Sequence, residues 1–310
     1  MTAFTEALEA GDLVGVRACS KADLHAHSVG SGNRAFIRAR TGVDIMPVHA
    51  PLRSMEEMHA WVDANFGKIF EGIEGRMLGL EAAFVQAKAD GITRIELGDD
   101  CWVITQGFAS AEDVARRQSE VHRTTAPEID WVRQISMSRH CSIRALDLWL
   151  FPFLELGFYQ TLDLSGDELA QPIEAFVPLY RKAKAAGLLL KAHVGEWGTA
   201  DDVRRAAELL ELDEIQHGIA AAGDPAVMRF LADNRIRLNV CPTSNLLMGR
   251  VETLARHPIR RLFDAGVTVT VNTDDVLVFG SSLSEEFLAL YRCGLFSAAE
   301  LDRIRLNGLA

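Results

Sequence analysis

The chain has 310 residues, 48% apolar and 24% charged, with a formal net charge of −11, proportions of an ordinary globular protein with no long disordered stretch. The excess of carboxylates excludes the clustered Lys and Arg that a nucleic-acid surface requires, and no run reaches the roughly 20 apolar residues of a membrane span. Five cysteines (Cys19, Cys101, Cys141, Cys241, Cys293) without a Cys-x-x-Cys pair, and a first segment carrying Glu6, Glu9 and Asp12, predict free thiols, no signal peptide and a cytoplasmic protein.

Short β-branched or apolar runs alternate with longer amphipathic ones along nearly the whole chain. Eight strands are expected: Ala22–His27, Thr93–Leu97, Gln134–Ser138, Tyr159–Leu164, Leu188–His193, Glu214–His217, Ile236–Val240 and Val267–Asn272. Helical patterns lie between them, among them Pro172–Ala186, Ala200–Leu210, Pro225–Asn234 and Ile259–Ala265, with Pro near helix starts and Gly187 and Gly266 as stops. Repeated βα units of this number predict a single-domain (β/α)8 TIM barrel, a fold typically of about 250 residues with room for insertions. An open doubly wound sheet fits less well, because no Gly-x-Gly-x-x-Gly turn follows the first strand. The first loop, residues 28–75, is long and contains the helical pattern Ser54–Phe66, an expected lid over the barrel mouth.

His25 and His27 are two apart on the first strand, so both imidazoles face the same way and can grip one ion. Polar clusters also follow later strands, at the end where barrels build active sites: Lys191-Ala-His193-Val-Gly-Glu196, Gln216-His217-Gly218, Cys241-Pro-Thr-Ser-Asn245 and Asn272-Thr-Asp274-Asp275. A lone strand-end histidine can be a hydrogen-bonded structural residue, and an Asp pair can cap a helix; their joint occurrence at successive strand ends points instead to a metal centre. His25, His27, His193 and Asp274 are the expected ligands of one Zn²⁺, whose open position lowers the pKa of water to about 7. Glu196 would then protonate a ring nitrogen of a substrate, and His217 would orient or deprotonate the attacking water.

These residues resemble the adenosine deaminase family, a branch of the amidohydrolase superfamily. The likeness covers nearly all of the chain and rests on Lys21-Ala-Asp-Leu-His-Ala-His27, Asp163-Leu-Ser-Gly-Asp-Glu168, His193-Val-Gly-Glu196, His217-Gly218, Cys241-Pro-Thr-Ser-Asn245 and Asn272-Thr-Asp-Asp275, all in the family's order. It implies hydrolytic deamination of a 6-aminopurine, adenosine first, to the 6-oxo product and ammonia. By the same resemblance His25, His27, His193 and Asp274 match the zinc ligands, Glu196 the proton donor to N1, His217 the residue handling the water, Gly166 the backbone contact to N3 and Asp275 the carboxylate on N7. One departure stands out. Two positions past His27 the family usually has an acidic residue that meets the ribose in nucleoside-specific members, and here the residue is Val29. Adenine, a modified adenine nucleoside or a pterin-like ring is therefore the alternative substrate class. A catalytically retired binding module is the remote alternative, opposed by the presence of every residue the chemistry needs.

Other polar residues have competing roles. Lys191 could be carboxylated to bridge two metal ions, although binuclear enzymes of the superfamily place that lysine on an earlier strand. Ser138-Arg139-His140 is expected to stiffen the barrel mouth, with contact to substrate as the alternative, while His49, His59, His122 and His257 are expected on the surface. The His-x-Glu and Pro-Cys-x-x-Cys signature of the other zinc nucleobase deaminases is missing.

Overall fold

A computed structural model describes residues 2–310. Eight parallel strands hydrogen-bond in chain order: β1 (Lys21–His27), β2 (Ile92–Asp100), β3 (Asp130–Ser138), β4 (Thr161–Ser165), β5 (Leu189–Val194), β6 (Glu214–His217), β7 (Arg237–Val240) and β8 (Val269–Val271). With the intervening helices they form the expected (β/α)8 barrel. Its closure is slender. β8 meets β1 at a single parallel bridge, Ala26 to Asp274, where the Asp274 N–H donates to the His25 carbonyl at 2.9 Å. The last helix, Ala298–Leu309, backs this seam: the Asn307 side chain donates to the Val269 carbonyl at 2.9 Å, and a Cβ on Gly308 would come within 3.1 Å of the Ala22 Cβ.

Strand side chains alternate between two environments. Outward residues such as Leu97, Ile135, Leu162, Leu190, Ile215 and Leu238 are buried under the helices. The inward layer below the mouth is polar. Lys191 Nζ lies 2.7 Å from Glu214 and also pairs with Glu96, Thr161 donates to Glu96 at 2.6 Å, and Asn239 donates to Glu214 at 2.8 Å and to Gln216 at 2.9 Å. Lys191 is thus the counter-ion of two buried carboxylates. Carboxylating it would put a third negative charge between them, so the metal-bridging alternative does not fit.

Helix starts follow local chemistry. Ser54 caps Met55–Phe66, Thr199 closes a capping box on Ala200–Leu210, and Asp224 caps Pro225–Asp233 with the proline in the first turn. The pattern expected as one helix over Pro172–Ala186 is instead a 3-10 turn, Ile173–Phe176, followed by a helix, Val177–Ala185. Pro178 lacks the N–H that would bond back to Glu174 in a continuous α-helix. Residues 28–71 carry helices Arg34–Thr41 and Met55–Phe66, and the first turn of the next helix, Gly72–Ala89, falls before the expected boundary at Gly75. Among the described residues no helix is long and apolar enough to cross a membrane.

Candidate active site

The mouth of the barrel gathers His25, His27, His193 and Asp274. His25 is buried, and its Nδ1 lies 3.1 Å from the Asn239 carbonyl, which can only accept, so the ring proton belongs on Nδ1 and Nε2 presents a lone pair. His193 Nδ1 lies 3.0 Å from the Asp163 carboxylate, which fixes the same tautomer by the same logic. The two bare Nε2 atoms face each other at 3.0 Å. Asp274 Oδ1 is 3.2 Å from His27 Nε2 and 3.7 Å from His25 Nε2, and the ligand atoms of His25, His27 and His193 all lie within 4.8 Å of one another. Opposed lone pairs beside a carboxylate are mutually repulsive until a cation stands among them. The charge balance of His27 says the same: burial lowers its pKa, yet the Asp275 and Asp274 carboxylates raise it to about 10. Nitrogen and carboxylate donors in this number suit Zn²⁺.

Cys241 Sγ lies 3.2 Å from His25, but on the Nδ1 side, and burial holds its thiol well above its ordinary pKa. It packs behind the ligand atoms as a neutral thiol. Asp274 is braced by the Ser244 hydroxyl, which donates to its Oδ2 at 2.7 Å. Asp274 (φ 61°) and His217 (φ 63°) both adopt the left-handed backbone that non-glycine residues avoid, strain of a kind concentrated at functional sites.

Glu196 and His217 complete the floor. His217 Nε2 lies 3.8 Å from both Glu196 Oε2 and Asp274 Oδ2. Burial, reinforced by the Asp274 charge, pushes the Glu196 carboxyl up to about 8, while burial holds His217 down to about 3. A protonated carboxyl and a neutral imidazole thus face one spot.

Above this floor opens a cavity of about 800 Å³ lined by His27, Gly166, His193, Glu196, His217, Asp274 and Asp275. Gly166 (φ 84°) tolerates no side chain, since a Cβ there would come within 2.9 Å of His140 Nδ1. Gly30 is likewise required, because a Cβ would fall inside the Asp275 carboxylate. Met55, Met58, Val62 and Phe66 of the inserted helix form one wall. Val29 lines the cavity and packs against the apolar cluster of Met58, Phe66, Phe70 and Phe279.

Sequence reasoning missed several members of this site. Asp163, Ser244 and Asn245 stood in recognised motifs but carried no assigned role, and Gly30 gave no signal beyond its position just after the histidine pair. His257, expected on the surface, is 1% exposed: its Nδ1 accepts from the Ile259 N–H at 3.1 Å and its Nε2 faces Asn245 Oδ1 at 3.3 Å. His122 is half-buried against the Ile129 carbonyl at 2.9 Å, whereas His49 and His59 are exposed as expected. Arg139 donates to the Gln171 carbonyl at 2.8 Å and ties two loops together, while Ser138 lines the cavity.

Comparison with known proteins bears on this geometry. The family model described as adenosine deaminase matches residues 151–310. A protein of Treponema pallidum, whose provisional name joins adenosine and adenine deaminase, is 33% identical over 288 residues, covering 93% of this chain and 96% of its own. The chain belongs to the adenosine deaminase family. It is a hydrolytic deaminase by that membership, with a metal-dependent barrel as the family's frame. The fold alone is shared with more distant solved structures. Adenine deaminase from Arthrobacter aurescens superposes with a TM-score of 0.82 at 24% identity, covering 93% of this chain and 92% of its own. An amidohydrolase from Burkholderia ambifaria with bound Zn superposes at 0.80 with 22% identity, covering 97% and 87%.

Proposed function

We propose that this adenosine deaminase family member hydrolyses the 6-amino group of a purine carrying a substituent on N9, adenosine in the first instance, using one zinc ion held by His25, His27, His193 and Asp274. The observation that carries the reading is the convergence of Glu196, His217 and Asp274 on the floor of one cavity, with His217 Nε2 3.8 Å from each of the two carboxylates. Bound there, zinc would act as a Lewis acid on water and bring its pKa toward about 7.

The residues divide the remaining work. Glu196 gives its proton to N1 as the oxygen of water adds to C6, so the electrons of the C6–N1 bond are absorbed by a ring nitrogen. His217, whose Nε2 carries the ring proton, donates to the water oxygen and orients it; one water proton passes to Asp274 and on to the amino group, which leaves as ammonia, and the remaining hydroxyl proton returns to Glu196 as the 6-oxo purine forms. The Gly166 N–H would meet N3 and Asp275 would meet N7, fixing the ring in its plane. Helix Met55–Phe66 would serve as the lid that keeps bulk water out.

The cavity, about 800 Å³, lies in the upper part of the ~300–1,000 Å³ range of ligand pockets and leaves room beyond a bare bicyclic base. Asp63, Glu71 and Asp100 are among the carboxylates lining the cavity and could accept from sugar hydroxyls. A second reading, free adenine, is favoured by Val29, which offers no hydrogen bond at the position where an acidic residue would meet ribose. Ammonia release from a panel of adenine, adenosine, other aminopurine nucleosides and aminopterins separates the two. Glu196→Gln should retain zinc and lose ~10²–10⁴-fold in turnover; near-normal turnover of any 6-aminopurine by this variant refutes the assigned role, and an active chain with well under one divalent ion refutes the ligand set.

A further inference from the structure

The backbone N–H groups of the loop that carries Glu196 are taken up by a side chain and not by other backbone carbonyls. That side chain is Glu168, 4% exposed, from the loop after β4. Its Oε1 accepts the Gly195 N–H at 2.6 Å, and its Oε2 accepts the N–H groups of Glu196, Trp197 and Gly198 at 3.1, 2.8 and 3.1 Å. Four successive backbone donors converge on one carboxylate, including that of the proposed proton donor itself. Such charge-assisted bonds are about twice as strong as neutral ones, and all four donors would otherwise be left unpaired at the site.

The local sequence is built for this clasp. Gly195 takes φ 74°, which turns its N–H with its neighbours', and a Cβ on Gly198 would sit 2.5 Å from Glu168 Oε1. Gly198 therefore leaves room for the carboxylate, while Gly195, whose Cβ would fall 2.3 Å from Val203 Cγ2, lets the turn pack against the following helix. Glu168 also follows Gly166 by two residues, so the segment that offers a backbone donor to the purine ring is the same one that grips the proton donor's loop.

We infer that Glu168 is a positioning residue, whose buried carboxylate sets the reach of Glu196 toward the substrate ring in register with Gly166. The inference rests on the function proposed above. Glu168 touches no reacting atom and acts through Glu196, so a misplacement of about 1 Å in the loop would cost on the order of 10²-fold in rate.

The test is a double-mutant cycle in the zinc-loaded full chain, with adenosine, adenine or whichever aminopurine the panel identifies. Glu168→Ala should lower kcat ~10²-fold with KM within ~3-fold and zinc content unchanged. The Glu168→Ala/Glu196→Gln double variant should be no slower than Glu196→Gln alone, because a residue acting through Glu196 has nothing further to lose. Glu168→Gln supplies the same cycle if the alanine variant fails to fold: one amide oxygen can keep the Oε2 bonds, but its NH₂ then opposes the Gly195 N–H, so an intermediate loss of ~10-fold is expected. Multiplying losses in the double variant, loss of zinc in the single one, or unaltered kcat in both Glu168 variants would each overturn the inference. If those results came with an inactive Glu196→Gln, the proposed function would survive; a fully active Glu196→Gln would remove both.

Discussion

His217 Nδ1 lies 3.2 Å from the side-chain amide nitrogen of Asn245, a group that can only donate. The chain of bonds behind it is directional. The Ile259 N–H donates to His257 Nδ1, His257 Nε2 donates to Asn245 Oδ1, and Asn245 in turn donates to His217. The proton of neutral His217 is thereby placed on Nε2, the atom that faces Glu196 and Asp274. Asn245→Asp replaces the donor with an acceptor and pulls the imidazole proton to the far nitrogen. We expect kcat to fall ~10²-fold with zinc content intact, and His257→Phe to fall less, since the amide survives without its outer partner. Steady-state kinetics with metal analysis checks both. Equal activity of Asn245→Asp and the parent would show that the tautomer of His217 is immaterial.

Lys191 is the keystone of the polar layer beneath the site. It is 1% exposed and lies between Glu214 and Glu96, so Lys191→Met leaves two buried carboxylates without their shared counter-charge. Removing one partner of a buried ionic cluster typically costs about 3–5 kcal/mol. Urea unfolding should show a loss of this size. A variant within about 1 kcal/mol of the parent would mean that Arg237, which also pairs with Glu214, already neutralises the layer.

Much of the active end was visible in the sequence because its signals are local. Two histidines at strand spacing, a glutamate three residues after a third histidine and an Asp pair at the last strand each fall within one short window. The layer below was not, since it depends on partners such as Glu96, Lys191 and Glu214 that lie on three different strands. Strand starts were lost for a related reason: the third strand was expected from Gln134, yet β3 begins at Asp130, where Trp131 and Val132 are buried and Arg94 of β2 pairs opposite Asp130. His257 looked like a surface residue because no periodicity marks a side chain buried between the Ile259 N–H and the amide oxygen of Asn245.

Glu286 gives stability a pH dependence that can be isolated from catalysis. Its side chain is 1% exposed, accepts the Thr243 N–H at 3.1 Å, and is pushed by burial up to about 7. A carboxyl whose folded pKa lies above its unfolded value of ~4.5 favours the folded state while protonated. That contribution is complete below about pH 4.5 and is lost as pH rises through 7, a change on the order of 3 kcal/mol at most. Glu286→Gln mimics the protonated form. Its melting temperature should match that of the parent near pH 5 and exceed it by a few degrees at pH 8; a constant difference across this range would exclude Glu286 as the titrating group.

Val29 offers the most direct handle on substrate choice, because it lines the cavity yet belongs to an apolar wall rather than to the metal cluster. Introducing an acceptor there changes what the cavity can hydrogen-bond without touching the proposed ligands. A site that bonds a substrate hydroxyl gains discrimination against the analogue lacking it, whereas an apolar wall discriminates weakly. Val29→Glu should therefore raise the ratio of kcat/KM for adenosine over adenine by ~10-fold or more, at some cost in stability from placing a carboxylate beside Met58 and Phe66. The comparison is internal to one protein preparation, so partial loss of folded enzyme cancels from the ratio. An unchanged ratio would mean that any sugar lies away from Val29, and would turn attention to Asp63, Glu71 and Asp100, carboxylates that also line the cavity.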